Sequence, residues 1–290
     1  MNSIVIENYK NQSIISKYIS NVDGNTNYFI AKNNETVLLI IGVKYLGWDS
    51  EIFNKKIGLF DIYYGDIEIN FIDLVMKKVN EYCIEEKYDC LFAKSSVKQY
   101  NLMHLLESDG YKLMDSIVTL KTNLSNKVIE ECNYETRILE ESDLDNVLCI
   151  IDNLYKYGRF YVDLELNNED VNKLYKQWIT NEIKNNQVDV VGIEVSGKVV
   201  GFISCKYRNN NETNKKEGII SLVGIDKSYQ GLGIGKQLVK SVLCYFKRKN
   251  INDIYVGTQI DNLSALNLYI SNGFKITSSV NSFHKWIDKI

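Results

Sequence analysis

Ser228-Tyr229-Gln230-Gly231-Leu232-Gly233-Ile234-Gly235-Lys236-Gln237-Leu238-Val239 is the stretch on which the fold turns. Three glycines alternate with aliphatics, and from Gly235 the apolar spacing becomes helical through about Lys249. A helix N-terminus carries unpaired N–H groups and roughly half an elementary positive charge. Glycines ahead of it let the backbone close around an anion without Cβ clashes, so the stretch reads as a phosphate cradle. A dinucleotide site asks for G-x-G-x-x-G and an acid at the end of the next strand. Here the spacing is G-x-G-x-G, and Asp253 stands at the beginning of its strand. A P-loop asks for Ser or Thr after Gly-Lys, and Gln237 stands there instead. A strand-to-helix turn with no ligand is the remaining alternative. A glycine pair would suit it, but Gln230-x-x-Gly233-x-Gly235 is more than a pair.

Upstream of this stretch, Glu135 to Leu139 alternates as a strand, and Ser142 reads as the N-cap of a helix through about Leu154. A second helix runs from Asn167 to Trp178. Strands follow at Val188 to Val195, Lys198 to Arg208 and Gly218 to Asp226, the first two joined by the hairpin signal Ser196-Gly197. Downstream come a strand, Asp253 to Gln259, and a helix, Asn262 to Ser271, closed by Gly273. Two last strands are expected at Phe274 to Ser279 and Phe283 to Trp286. The order is that of a mixed α/β unit about one domain long. The polar stretch from Lys121 to Tyr134 reads as a linker. The expected division is therefore residues 1–125 and residues 134–290.

The first part carries an echo of the second. With Gly110 set on Gly273, Gln99 falls on Asn262 and Leu106 on Tyr269, and the pattern helix, Gly, aromatic, Lys, aliphatic recurs. The echo is either an internal duplication or a chance repeat of a common joint. As a duplication, the first copy lacks both the tyrosine and the glycine-rich turn.

Composition narrows the class. The 290 residues are 45% hydrophobic and 24% charged with a net charge of −3, a globular balance without the basic surface of a nucleic-acid binder. The first residues show no leader pattern, and no apolar run approaches the roughly 20 residues of a membrane span. Six scattered cysteines without C-x-x-C read as reduced cytoplasmic thiols, with no metal site expected. There is no proline, so turns fall to Gly, Asn, Asp and Ser.

Two motifs carry a family resemblance. Gln230-Gly231-Leu232-Gly233-Ile234-Gly235, after Ile220-Ser221-Leu222-Val223-Gly224-Ile225, resembles the acetyl-CoA motif of the GCN5-related N-acetyltransferases (GNAT). Thr258-Gln259-Ile260-Asp261-Asn262-Leu263-Ser264-Ala265-Leu266-Asn267-Leu268-Tyr269 through Gly273-Phe274 is similar to the family's N-x-x-A-x-x-L-Y-x-x-x-G-F. The resemblance implies a GNAT fold of the α/β (α+β) class: a mixed central sheet flanked by helices, here behind a truncated, degenerate GNAT-like N-terminal half. It implies that the backbone from Gln230 to Lys236 (Gly231, Leu232, Gly233, Ile234 and Gly235 between them) holds the pyrophosphate of coenzyme A. It further implies that the Val223-Gly224-Ile225 strand offers backbone groups to the acetyl and pantetheine arm, that Asn262 bonds that arm, and that Tyr269 protonates the departing thiolate. A phenol in a desolvated pocket suits that role, because a free thiol titrates near 8.5.

Tyr157-Gly158-Arg159-Phe160-Tyr161-Val162-Asp163, with Trp48 to Phe53 and Gly110 to Thr119, resembles the branch that acetylates dTDP-4-amino-4,6-dideoxygalactose. Gly158 and Tyr161 stand where that branch has Ser and His, and Leu164 where it has Pro. In this reading Arg159 meets a phosphate or carboxylate, Asp163 holds a cationic amine or a sugar hydroxyl, and Tyr161 lines the sugar. The alternative is a loop whose aromatics pack inward. The base is an ordered water, Glu194 or His284, and Cys205 reads as packing. The expected partner is a small-molecule amine, with neither nucleic acid nor membrane; a homodimer is compatible with the fold. Other acceptors (a protein, an aminoglycoside, an amino acid) and a non-catalytic acyl-CoA sensor are the alternative functions.

Overall fold

A computed structural model describes residues 4–9, 15–67, 71–129, 133–152 and 154–287. The chain divides into two compact units, residues 1–114 with 280–290, and residues 115–279.

The first unit contains β1 (Ile4–Tyr9), β2 (Thr26–Asn33), β3 (Thr36–Tyr45), α1 (Gly47–Phe53), β4 (Ile57–Gly65), α2 (Ile72–Glu85), β5 (Cys90–Ser96) and α3 (Tyr100–Ser108). Its strands lie in the order β1-β2-β3-β4-β5, antiparallel except for β4 beside β5. Residues 280–286 pair antiparallel with β5 at the end of this sheet. The core under α2 and α3 contains Phe29, Ile41, Phe60, Val75, Val79, Leu91, Leu106 and Phe283.

The second unit begins within β6 (Lys112–Asn123). It continues with β7 (Glu135–Ile138), α4 (Leu144–Ile151), α5 (Arg159–Val162), α6 (Asn168–Lys184), β8 (Asp189–Val195), β9 (Lys198–Asn210), β10 (Lys215–Ile225), α7 (Ile234–Arg248), β11 (Asp253–Gln259), α8 (Leu263–Ser271) and the start of β12 (Lys275–Trp286). Its sheet has the order β6-β11-β10-β9-β8-β7, with β12 beyond β6. In α7 the apolar residues Ile234, Leu238, Val239, Val242, Leu243 and Phe246 recur at helical spacing, and all are buried against the sheet. Lys247 and Arg248 occupy its last turn, where the helix dipole favours cations.

One feature of the sheet creates a cleft. β10 and β11 are parallel neighbours, yet they pair only over residues 218–220 and 254–256. A register shift between Ile220 and Val223 puts a bulge in β10 against β9. A bulge bends its strand, and beyond it the two strands part.

Several sequence expectations move. The strand after Ser271 is a single one, β12, not two. It runs on because its residues 280–286 find a partner in β5. The helix expected from Ser142 begins instead as a 3-10 turn, Glu141–Asp143, leading into α4. The cap is a reciprocal Glu140–Asp143 box, with Asp143 gripped by both terminal nitrogens of Arg137 at 2.8 Å. The expected end at Leu154 crosses residue 153, which lies outside the described residues; α4 stops at Ile151. The second helix continues to Lys184, past the expected Trp178, because Ile179 and Glu182 still face the core. The stretch between those helices, which carries no helical periodicity, contains the short α5.

The division expected at 125/134 also differs from the observed one. β6 pairs with β11 of the second unit, while the chain after residue 279 returns to the first. In the expected linker, Leu124 is fully buried and Lys127 donates to Asn272 O at 2.6 Å; residues 130–132 lie outside the described residues.

Candidate active site

The glycine turn has the shape its sequence demands. Gly231 and Gly233 have φ of +77° and +79°, and a Cβ added at either would meet nothing within 4 Å. Their need for glycine is therefore backbone conformation facing open space, not crowding. Gly235 lies against the Leu268 side chain of α8, which brings the turn beside the helix that carries Tyr269. The first amide to enter the helical ladder is Gln237, donating to Gly233 O at 3.2 Å. The N–H groups of Ile234, Gly235 and Lys236 precede it and have no helical acceptor. Leu232 is exposed at the tip, while Ile234 is buried in the core.

On β10 the carbonyls of Val223 and Ile225 are bonded from outside the β9 ladder. Tyr155 donates its hydroxyl to Val223 O at 2.9 Å, and Gln230 donates its side-chain amide to Ile225 O at 3.0 Å. These two residues therefore turn their peptide groups toward the splay. Gln230 uses its side chain to lock the strand to the turn. Gly224 has a packing reason of its own, because a Cβ there would lie 2.4 Å from the Phe202 ring.

Tyr269 sits on α8, buried, its ring edge-on to Phe274 at 5.7 Å. Burial alone raises its phenol well above the usual tyrosine range. Asn262 is the N-cap of α8, and its side-chain oxygen accepts the Ala265 N–H at 3.2 Å. Its Nδ2 donors remain to offer a cofactor arm.

The stretch from Tyr155 to Asp163 lies against this splay. The Tyr155 ring stacks on Tyr175 of α6 at 4.2 Å. Burial, then the nearby Tyr175 and Tyr269 phenols, raise the Tyr155 hydroxyl well above its ordinary value. Arg159 donates its backbone N–H to Asp115 and lays its guanidinium over the Phe160 ring at 4.5 Å. Phe160 is buried, Tyr161 is half-buried and Tyr157 is exposed. Asp163 is buried, and one of its oxygens accepts the Glu165 N–H at 3.1 Å, shaping the turn after α5.

The proposed bases stand elsewhere. Glu194 is held by Arg137 at 2.7 Å on the β7–β8 edge. His284 belongs to the first unit, stacked on Phe92 at 4.0 Å. Burial raises the Cys205 thiol and pushes the Cys83 thiol up to about 12, which leaves both as packing groups.

Sequence reasoning missed three contributors. Tyr155 lies outside both motifs, and Gln259, inside the second, was given no role. Glu182, buried, collects the Trp178 indole N–H at 2.6 Å, Lys206 at 2.6 Å, the Ser221 hydroxyl at 2.9 Å and the Ser204 hydroxyl, and so ties α6 to the β10 bulge. A lone Glu in the last turn of a helix gives no signal of this. Elsewhere, a cavity of about 950 Å³ in the first unit, lined by Tyr28, Tyr45, Lys55 and Tyr88, shares no residue with the splay.

A parallel pair opened by a bulge, a glycine turn into a helix, and a second helix bearing a buried tyrosine form one arrangement. The family model of the acetyltransferase (GNAT) family matches residues 153–274. The second unit has the GNAT fold. A GCN5-related N-acetyltransferase from Sphaerobacter thermophilus superposes with a TM-score of 0.63 at 12% identity, over 95% of this chain and 85% of that one. A tandem GNAT protein from the clavulanic acid biosynthesis pathway gives 0.60 at 11% identity, over 91% and 83%. At such identities the likeness establishes the fold. In sequence, the chain is 21% identical over 150 residues to the spore coat polysaccharide biosynthesis protein SpsD of Bacillus subtilis. That match spans 52% of this chain and half the length of the relative. Among the described residues of this GNAT-fold chain, no helix is long and apolar enough to cross a membrane, and no three His, Cys, Asp or Glu side chains cluster to hold a metal.

Proposed function

We propose that the second unit transfers an acetyl group from acetyl-CoA to the amine of a nucleotide-linked 4-amino-deoxy sugar. One observation carries the reading. Gly235, which follows the open positive-φ turn, lies near Leu268 of α8, and the buried Tyr269 phenol of the same helix acts on the Tyr155 hydroxyl that bonds Val223 O. An anion cradle and a proton donor therefore flank one splay.

The residues fit coenzyme A. The free amides of Ile234, Gly235 and Lys236, with the open space around Gly231 and Gly233, would hold a pyrophosphate. The peptide edges of Val223 and Ile225 would align the acyl arm, and Asn262 Nδ2 would bond it. Bound acetyl-CoA supplies an activated thioester. Tyr269, with its proton retained by burial, is the donor to the leaving sulfur. Holding both reactants in the splay makes the attack effectively unimolecular. Arg159 and Tyr161 are the acceptor-side contacts, and Asp163 sets the turn that presents them. A relative named for polysaccharide biosynthesis supports a sugar acceptor.

We read the first unit as a degenerate copy of the second. Gln99 stands at the N-cap position of α3 as Asn262 does in α8, though only Asn262 bonds a helix amide with its side chain, and Gly110 and Gly273 follow with φ of +87° and +80°. Tyr111 N–H donates to Leu106 O as Phe274 N–H donates to Tyr269 O.

The test is thiol release from acetyl-CoA with dTDP- and UDP-linked 4-amino-6-deoxy sugars of both C4 configurations, an aminoglycoside and a peptide. Turnover confined to a nucleotide amino sugar is expected. Turnover on the peptide or aminoglycoside alone overturns the acceptor assignment. Coenzyme A binding with no turnover on any amine overturns the enzyme. In Tyr269→Phe, thiol release falls by about 100-fold or more while coenzyme A still binds.

A further inference from the structure

β6 brings to this splay a carboxylate that neither motif marks. Asp115 is buried, with 8% of its surface exposed. Its Oδ2 accepts the Arg159 backbone N–H at 3.0 Å and lies 3.4 Å from Gln259 Nε2 at the end of β11. Its Oδ1 is shielded from solvent and, among the described residues, has no hydrogen-bond partner. A buried carboxylate oxygen left unmatched is costly, so such an atom calls for a ligand that completes it.

The surroundings say what kind. Register places Ile117 opposite Gln259, and Ser116 O accepts the Ile260 N–H, so Asp115 stands just beyond the last β6–β11 pair. β11 has by then left β10, whose last pair with it is at Val256. The segment from Tyr155 to Arg159 spans this opening. Tyr155 bonds the β10 side at Val223, and Arg159 bonds Asp115 on the β6 side. At Gly158 a Cβ would meet the Tyr175 hydroxyl at 3.0 Å and the Gln259 amide at 3.6 Å, so the turn lies close over the site. Asp115 Oδ2 meets a backbone amide and a carboxamide, and neither neutralises the carboxylate charge.

We infer that Asp115 Oδ1 receives the amino group of the acceptor, taken up as an ammonium when the Gly158–Arg159 turn lifts and losing one proton to water before it attacks, so that Asp115 separates amines from alcohols. The inference rests on the acyl-transfer reading for the chemical step, not for binding itself. A charge-assisted hydrogen bond of this kind is worth about a 10- to 100-fold preference.

The experiment compares wild type with Asp115→Asn, with coenzyme A present. Calorimetry measures binding of dTDP-4-amino-4,6-dideoxygalactose and of its 4-hydroxy counterpart, with an aminoglycoside and a peptide as further amines. The wild type should prefer the amine by about tenfold or more, and the variant should bind both sugars alike. In turnover, acceptor KM should rise about 10- to 100-fold while acetyl-CoA KM and Tm hold, because Asn still offers an oxygen to the Arg159 N–H. The same amine preference in both proteins overturns the assignment, even if acetylation proceeds. Amine binding that depends on Asp115 without thiol release keeps the assignment and overturns the acetyltransferase reading. No preference for any amine in the wild type overturns the assignment. If the variant does not fold, the carboxyl ¹³C shift of Asp115 in the wild type replaces it. That shift should move on adding the amine and stay still on adding the alcohol; movement with both or neither overturns the inference.

Discussion

At the scale of single residues, burial sets the protonation of Tyr269. A phenol titrates near 10 in water, and loss of solvation raises it because the charged form is the one disfavoured. The acid form therefore persists to higher pH than in a free tyrosine. Thiol release should show no alkaline limb from this group below about pH 10, as a pH–rate profile would reveal. The glycine turn makes a second case. Gly233 has φ +79° with open space around it, so a side chain there is opposed by backbone strain alone. Gly233→Val should cost roughly 1–2 kcal/mol of stability and weaken coenzyme A binding, whereas Gly233→Asn, a residue tolerant of the left-handed region, should cost less. Paired thermal melts and coenzyme A titrations would rank them.

Elements are held by contacts that periodicity does not show. Arg137 on β7 grips Asp143 at the start of α4 and Glu194 on β8. The Arg137 hydrogen bond is the first cause that lowers the Asp143 carboxyl, against the cost of burial. A lowered carboxyl stabilises the fold above the unfolded value near 4, and that contribution disappears as pH falls through the lower folded value. Arg137 is partly exposed, which screens the pair. Arg137→Ala should thus cost on the order of 1 kcal/mol at pH 7 and progressively less as pH falls below about 4, as a series of urea melts across that range would show. Turns were more legible. In a chain without proline, Asn34, Asn54, Asn214 and Asn250 take the left-handed conformation, as Asn tolerates with little strain.

At the scale of the whole molecule, the two units do not coincide with two continuous stretches of chain. β6 ends the first run of elements but pairs with β11, and residues 280–286 end the second run but pair with β5. A chain cut to residues 134–290 would lack β6 and leave β11 an open edge. It would also carry a C-terminal strand without β5 beside it, and Phe283, 1% exposed, without its core. We expect such a chain to aggregate or melt well below the full protein, whereas the full chain with a nick in the 124–134 connection should stay folded. Light scattering and calorimetry on both would check this.

The glycine turn, its helix, the Asn262 to Phe274 motif and the repeated Gly110 and Gly273 joints were readable from residues alone. Each depends on neighbours within a dozen positions, and local backbone preference and helical spacing suffice to specify it. The exchange of last strands, the ties of Glu182 to Lys206 and Ser221, the Arg137–Glu194 pair, and the placing of Asp115 beside Arg159 and Gln259 were not readable. Each joins residues far apart in the chain, Asp115 and Gln259 by 144 positions. Such pairs are chosen by which strand edge is left open when the sheet assembles, and no short-range pattern records that choice.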